Sequence, residues 1–190
     1  MRCRSRMGVG LVALALALLL FADGARIQAK AWLAQGLLAQ AWARTLNDGG
    51  VHPPWPGADH APVARLYLPR LDRKLIVLEG DSGNVLAFAP GRASASGKPG
   101  DDRTRVISAH RDTHFRGLDQ LQPGDELRLE TPAGRQTYRV SGSEILNADT
   151  HRLPIQNDRR LLLVTCWPLD ATAPGGPMRY VVTAEQIGSS

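Results

Sequence analysis

The segment "LLLVTCWPLD", residues 161–170, joins an apolar β-type run to a single cysteine. The run is short and rich in leucine and valine, as expected for a buried strand. The Trp167-Pro168 pair ends it, because proline cannot donate a hydrogen bond to a neighbouring strand. Cys166 is therefore expected at the end of a strand, where rigid scaffolds commonly hold functional side chains.

The composition of the whole chain is that of a globular protein. Of its 190 residues, 43% are hydrophobic and 22% are charged, which fits one domain with an appendage. The net charge of +5 is modest, and the arginines are scattered rather than interleaved with aromatic residues. We therefore expect no nucleic-acid partner.

The N-terminus predicts export. Arg2, Arg4 and Arg6 precede an apolar run at residues 8–22, which is shorter than the ~20 residues that span a bilayer comfortably. A signal peptide cleaved near Gly24 is one interpretation. We favour an uncleaved signal anchor over residues 1–24, because residues 27–46 continue with helical apolar spacing. This predicts a single-pass protein of the inner (cytoplasmic) membrane with its body in the periplasm.

The remaining chain divides into a spacer and a β-rich domain. Residues 25–60 read as a helical stalk and a Pro-rich linker, in which His52 and His60 are expected to be exposed to solvent. Residues 61–190 contain short β-type segments, and helical pattern is confined to pieces such as residues 115–121. The fold class is therefore all-β, a closed or nearly closed barrel or a sandwich. The β-type segments are residues 63–68, 75–80, 84–90, 104–110, 125–131, 136–146, 160–166 and 179–185.

Cysteine and histidine usage narrows the chemistry. Cys3 and Cys166 are the two cysteines, and a signal anchor would put them on opposite sides of the membrane. Cys166 is then an unpaired thiol in an oxidising compartment, either inert and buried or reactive. His110 and His114 lack the further ligands of a zinc site, and the Asp-containing loops lack the spacing of a calcium loop.

A reactive cysteine needs a base and an oxyanion donor. His110 ends the run at residues 104–110, where its imidazole can give the thiol its thiolate character. Arg179 opens the last run, and its guanidinium is a permanently charged donor for an oxyanion. If the strands that carry these residues are neighbours, His110, Cys166 and Arg179 meet at one rim of the sheet.

The motifs "SAHRDTHF", "LLLVTC" and "GGPMRYVVTA" resemble those of the sortases, which are membrane-anchored cysteine transpeptidases. The resemblance covers residues 61–187. The stalk at residues 29–42, with residues 53–66 after it, is similar to that of the Gram-negative class, class GN. It implies an eight-stranded sortase barrel with short helices, preceded by the transmembrane helix and stalk. Cys166 would be the nucleophile, His110 the acid/base and Arg179 the oxyanion donor, with neither metal nor cofactor.

Two further residues are candidates beside these three. Thr165 is expected either to orient substrate or simply to fill a strand position, and Asp112 either to orient His110 or to cap a turn. Ala109 departs from the glycine that many sortases place before the histidine.

The resemblance also implies the reaction. The enzyme would cleave a Leu-Pro-x-Thr-like C-terminal sorting signal of an exported protein and transfer it to an amine acceptor. The alternatives are a non-catalytic membrane-anchored β-domain and an L,D-transpeptidase-like cysteine enzyme, although "VTCWP" lacks the Ser-x-Gly-Cys motif of the latter.

Overall fold

The computed structural model describes residues 2–98, 100–171, 173 and 175–189. The side chains of residues 2–20, 23 and 27 lie outside that description. The chain forms two compact units, residues 1–37 and residues 38–190.

One long helix, α1 (Arg2–Asp48), begins the chain. It extends the helix predicted for residues 27–46 in both directions. The predicted anchor at residues 1–24 falls largely on side chains outside the described set. Among the described residues, no helix has both the length and the apolar character needed to cross a membrane.

The second unit contains a closed barrel of eight strands. Around the barrel the strand order is β1-β2-β3-β4-β7-β8-β6-β5, with β4 parallel to β7 and β7 antiparallel to β8. This closed barrel confirms the predicted all-β class and selects the barrel over the sandwich. The strands are β1 (Pro62–Leu68), β2 (Arg73–Glu79), β3 (Gly91–Arg92), β4 (Arg105–Ser108), β5 (Glu126–Thr131), β6 (Gly134–Asn147), β7 (Leu161–Cys166) and β8 (Met178–Ser189).

One predicted strand, at residues 84–90, is wrong. The segment begins with a short helix, α2 (Gly83–Leu86), and the neighbouring strand β3 starts only at Gly91. Val85 and Ala89, four residues apart, are both buried in one apolar cluster with Leu38 and Leu78. A spacing of four residues is that of a helical face, whereas a strand would alternate.

Strand β7 separates two apolar layers. Leu161 and Leu163 belong to the main core inside the barrel, whereas Leu162 and Val164 belong to a second cluster on the opposite face. Successive side chains of a strand point to opposite faces, which produces this division. Because the leucines and valines continue on both faces, β7 reads as an apolar run without polar alternation.

The last turns of α1 and the linker pack within the second unit. Leu38 and Trp42 are fully buried, and the Arg65 guanidinium lies 5.9 Å from the centroid of the Trp42 ring. His60 is also buried and stacks on Phe88, with 5.7 Å between ring centroids. The expectation that His60 is exposed is therefore wrong, because aromatic contacts dock this part of the linker.

Candidate active site

Three neighbouring strands bring the predicted catalytic residues into one row. Cys166, the last residue of β7, is the register partner of Arg179 on β8. On the other side, Ser108 of β4 is the register partner of Val164. His110 lies two residues beyond Ser108, and Cys166 lies two residues beyond Val164. Since neighbouring strands are about 4.8 Å apart, the backbones of the three residues are adjacent.

The same three residues share the outer face of the barrel. Cys166 has the parity of Leu162 and Val164, which lie in the outer apolar cluster. Cys166 and Arg179 are half-buried and His110 is exposed, so a substrate can reach all three. Cys166 is also unpaired. A thiol, an imidazole and a guanidinium in one accessible row have the composition of a cysteine acyl-transfer site.

Thr165 points to the opposite face and links the two strands that carry the thiol and the imidazole. Its buried Oγ1 donates to the backbone carbonyl of Ala109 at 2.7 Å. Ala109 also donates its N–H to the Val164 carbonyl at 3.1 Å. These bonds extend the β4–β7 pairing to the residues directly before His110 and Cys166. The predicted contact of Thr165 with substrate stays a prediction.

Arg179 is held by the loop that precedes it. Its Nη1 donates to the carbonyl of Gly176 at 2.8 Å and to that of Met178 at 2.9 Å. Its Nε and Nη2 have no hydrogen bond to any residue that the structure describes. The guanidinium is thus fixed through one nitrogen and keeps donors for a ligand.

The turn after His110 is fixed through its backbone. Phe115 N–H donates to the His110 carbonyl at 3.0 Å, and Arg73 Nη1 donates to the carbonyls of Thr113 and His114. Within the described part of the chain, Asp112 is bonded only through its carbonyl, which accepts from Arg116 Nε at 3.0 Å. A role for the exposed Asp112 carboxylate in orienting His110 stays a prediction.

His114 is the second imidazole of this turn, and it is half-buried. Burial lowers the pKa of His114 below its ordinary value, and the positive charges of His110 and Arg73 lower this pKa further. A hydrogen bond with the Phe88 backbone opposes that shift. His114 is therefore suited to stay neutral beside His110.

The sequence did not predict two contacts of the site. Trp167, directly after Cys166, stacks on Tyr180 with 5.8 Å between ring centroids. Arg111 is buried and bonds carbonyls of the loop between β7 and β8. A signal for Arg111 existed, since it continues the inward parity of Ile107 and Ala109, where an arginine is unusual.

A second apolar cluster lies on the outer face of the strands that carry Cys166, His110 and Arg179, and its central residues are buried. Its centre consists of Val106, Leu162, Val164 and Val181. Leu153 and Ile155, from the segment between β6 and β7, pack against that centre. This cluster is therefore packed core beneath the site, because less than a tenth of each of its four central residues is exposed.

No group of three or more His, Cys, Asp or Glu residues suited to hold a metal ion occurs in the described part of the chain. The expected absence of a metal and of a cofactor stays a prediction.

Similar proteins place this geometry in a known context. Sortase D of Bacillus subtilis (strain 168) is 31% identical over 124 residues, which are 64% of this chain and 62% of that protein. The catalytic domain of B. anthracis SrtD is 31% identical, with a TM-score of 0.57, over 67% of this chain and 88% of that one. A Clostridium perfringens Sortase D5 transpeptidase shares the fold, with a TM-score of 0.66 and 22% identity over 82% and 99% of the two chains.

These relatives carry the sortase D name and come from Gram-positive bacteria. They do not support the Gram-negative class that the stalk and linker predict. Membership of the sortase family as a whole is supported directly, because the family model of the sortase domain matches residues 66–187. That range includes β4, β7 and nearly all of β8, with His110, Cys166 and Arg179. The chain therefore belongs to the sortase family.

Proposed function

We propose that the protein is a sortase transpeptidase that uses Cys166, His110 and Arg179. The observation that carries the proposal is their common row and common face on three adjacent strands. The three groups supply a nucleophile, an acid/base and an oxyanion donor. The same arrangement has no evident purpose in a non-catalytic β-domain.

The proposed substrate is an exported protein with a Leu-Pro-x-Thr-like sorting signal near its C-terminus. The partial exposure of Cys166 and Arg179 and the exposure of His110 support access of such a segment to the thiol. In the first step the Cys166 thiolate attacks the scissile carbonyl, and a C–S bond forms as the C–N bond breaks. His110 donates its proton to the departing amine, and the free donors of Arg179 stabilise the oxyanion.

The second step transfers the acyl group to an amine acceptor. His110 accepts a proton from the incoming amine, whose nitrogen attacks the thioester carbonyl. The new C–N bond replaces the C–S bond and releases Cys166 as the thiolate. Water attacking instead gives a carboxylic acid, so hydrolysis competes when no amine arrives.

The proposed location is the inner membrane, with one anchoring segment and the catalytic domain in the periplasm. Assignment to the Gram-negative class belongs to this proposal and rests on residues 29–42 and 53–66. A reporter enzyme that needs export, fused after Ser190, should be active. A mature chain that begins near Ala25 would contradict the anchor.

The reaction is tested by intact-protein mass spectrometry with a sorting peptide, with and without an amine. The wild type should show a thioacyl adduct on Cys166 that the amine discharges. Cys166→Ala should show neither adduct nor product, whereas His52→Ala, outside the row, should match the wild type. Undiminished cleavage by Cys166→Ala would overturn the proposal.

A further inference from the structure

Arg111 directly follows His110 and connects it to the loop on the other side of the nucleophile. Only 8% of Arg111 is exposed. Its Nη2 donates to the carbonyl of Ala171 at 2.9 Å and to that of Ala173 at 2.6 Å. One guanidinium thus joins the end of the histidine strand to the middle of the β7–β8 loop, residues 167–177.

Burial of an arginine at this position is energetically unfavourable. No ion pair with Arg111 occurs among the described residues, so its charge is compensated only by neutral carbonyls. Its Nη1 is equally buried and has no hydrogen-bond partner. Burying a charge and leaving a donor unpaired both destabilise a fold. Such groups call for a functional explanation rather than a stabilising one.

The β7–β8 loop begins directly after Cys166 and ends just before Arg179. Its two ends are tied to the site, since Trp167 N–H donates to the Met178 carbonyl at 3.0 Å and Arg179 bonds Gly176. For the middle of the loop, the bonds from Arg111 are the hydrogen bonds to another element in the described part of the chain. Without Arg111 the loop would keep its ends and lose the attachment of its middle.

We propose that Arg111 is a positioning residue that latches the β7–β8 loop against the His110 side of the site. The latched loop keeps water away from the thioester on Cys166 and so favours transfer to an amine. This inference rests on the proposed function, because it concerns the fate of the thioacyl intermediate. Arg111 acts through the loop and not on the reacting atoms.

Both fates of that intermediate break the same C–S bond and release Cys166 as the thiolate. Aminolysis forms a C–N bond and hydrolysis forms a C–O bond, with His110 accepting a proton from the attacking group in each case. A loop that opens admits water without changing either reaction. The ratio of hydrolysis to aminolysis therefore reports the latch, whereas a general loss of stability would lower both products together.

The experiment compares Arg111→Met, Arg111→Lys and the control Arg103→Met in the full chain. Arg103 also bonds a loop carbonyl, that of Ala95 at 3.4 Å, but it precedes β4 at the far end of the barrel. One readout is the product ratio with a sorting peptide and an amine. The other is the rate at which iodoacetamide alkylates Cys166, followed by peptide mass mapping to separate Cys166 from Cys3.

We expect Arg111→Met, which removes both hydrogen bonds to the loop, to raise the hydrolysis-to-aminolysis ratio at least roughly tenfold, because even one hydrogen bond to a charged group contributes about 1.5–3 kcal/mol. Alkylation of Cys166 should become faster as well. Arg111→Lys should show a smaller change in the same direction, because a point charge cannot reproduce the two-carbonyl contact. Arg103→Met should match the wild type in both readouts.

A folded Arg111→Met with the product ratio and alkylation rate of the wild type would overturn the latch. If Arg111→Met fails to fold, the same comparison with Arg111→Lys decides. If the wild type forms no thioacyl adduct, the proposed function has failed, and alkylation alone decides the latch. Faster alkylation of the folded variant then supports the latch, and an unchanged rate refutes it.

Discussion

At the scale of single residues, Cys166, His110 and Arg179 come from three strands that are neighbours in the barrel. Cys166 and Arg179 are register partners, whereas His110 reaches the row from a parallel strand. Each group has a different role in the proposed reaction: nucleophilic attack, proton transfer or oxyanion stabilisation. Single substitutions should therefore have distinct signatures.

His110→Ala should lower turnover by roughly 10²- to 10⁴-fold, the usual contribution of general acid–base catalysis. The thiol of that variant should still react with an alkylating reagent.

Arg179→Ala should lower turnover by roughly 10²- to 10³-fold through loss of an oxyanion donor. Arg179→Lys should restore little, because lysine lacks the fork of donors. Peptide cleavage rates measure these effects, and full activity of His110→Ala would exclude His110 as the acid/base.

His114 makes a separate prediction about stability. Its pKa is lowered by burial first and then by the charges of His110 and Arg73. The unfolded chain therefore holds this proton more tightly than the folded state does. The contribution of His114 to the free energy of unfolding is complete above the ordinary pKa of about 6.5. It is lost as the pH falls through the lowered pKa of the folded state.

Urea unfolding tests this pH dependence. The free energy of unfolding is measured for the wild type, His114→Gln and His151→Gln, above a pH of about 6.5 and at a pH well below it. We expect stability to fall less steeply with decreasing pH in His114→Gln than in the wild type. His151 is exposed, so His151→Gln should keep the slope of the wild type. An unchanged slope in His114→Gln would show that burial of this imidazole does not couple folding to pH.

The sequence predicted that the strands of His110, Cys166 and Arg179 converge, because these residues stand at or near strand ends and carry reactive groups. The pairing of β4, β7 and β8 confirms that convergence, and the roles of the three residues stay predictions. The hydrogen bond from Thr165 to Ala109 depends on the parallel pairing of β4 with β7, which periodicity does not encode. The contact of Arg111 with the β7–β8 loop depends on the path of a loop, and the sequence carries no rule for it.

At the scale of elements, the end of α1 belongs to the same compact unit as the barrel. Leu38 is fully buried against Leu78, Val85 and Ala89, while Leu33, five residues earlier on the helix, is 64% exposed. Leu38→Ala in the full chain should lower the free energy of unfolding by about 2–5 kcal/mol, the range for a buried leucine. Leu33→Ala, the same substitution at an exposed site, should change it by less than about 0.5 kcal/mol. Thermal or urea unfolding measures both.

The burial of Leu38 and Trp42 also limits how far the chain can be shortened from its N-terminus. A chain that starts near residue 60 keeps His110, Cys166 and Arg179 but uncovers the apolar surface beneath Leu38 and Trp42. Equal unfolding free energies of Leu38→Ala and the wild type would show that the contact of Leu38 does not stabilise the fold.

The segment at residues 84–90 contributes Val85 and Ala89 to the cluster around Leu38. The sequence did not predict its short helix, because a brief apolar run fits either a helix or a strand.

At the scale of the whole molecule, the periodicity of the β-type segments does not decide between a barrel and a sandwich, and the predicted barrel came from the resemblance to the sortases. Alternating segments with frequent turns are typical of barrels and sandwiches alike. Closure comes from the pairing of β1 with β5 and of β6 with β8, strands far apart in sequence. The barrel then has two ends with different chemistry, the catalytic row at one and acidic loops at the other.

The acidic end should not bind calcium. It forms a polar cavity of about 830 Å³ that includes Asp101, Asp102 and Asp158 in its lining. Arg159 Nε donates to Asp102 at 2.8 Å and lowers the pKa of that carboxyl, and Arg160 Nε donates to Asp158 at 2.5 Å. A hard cation needs several free oxygen ligands, and here it would have to displace the guanidinium groups that are paired with Asp102 and Asp158.

Peptide cleavage by the wild type should therefore be the same with EDTA and with millimolar calcium. Arg159→Met frees the Asp102 carboxylate and removes one positive charge, so it is the variant in which a calcium response should first emerge. Arg103→Met removes a charge from the same cavity without releasing a paired carboxylate, and it should stay unresponsive. Calcium activation of the wild type would contradict this prediction. It would show that calcium displaces the arginines from Asp102 and Asp158 and binds their carboxylates.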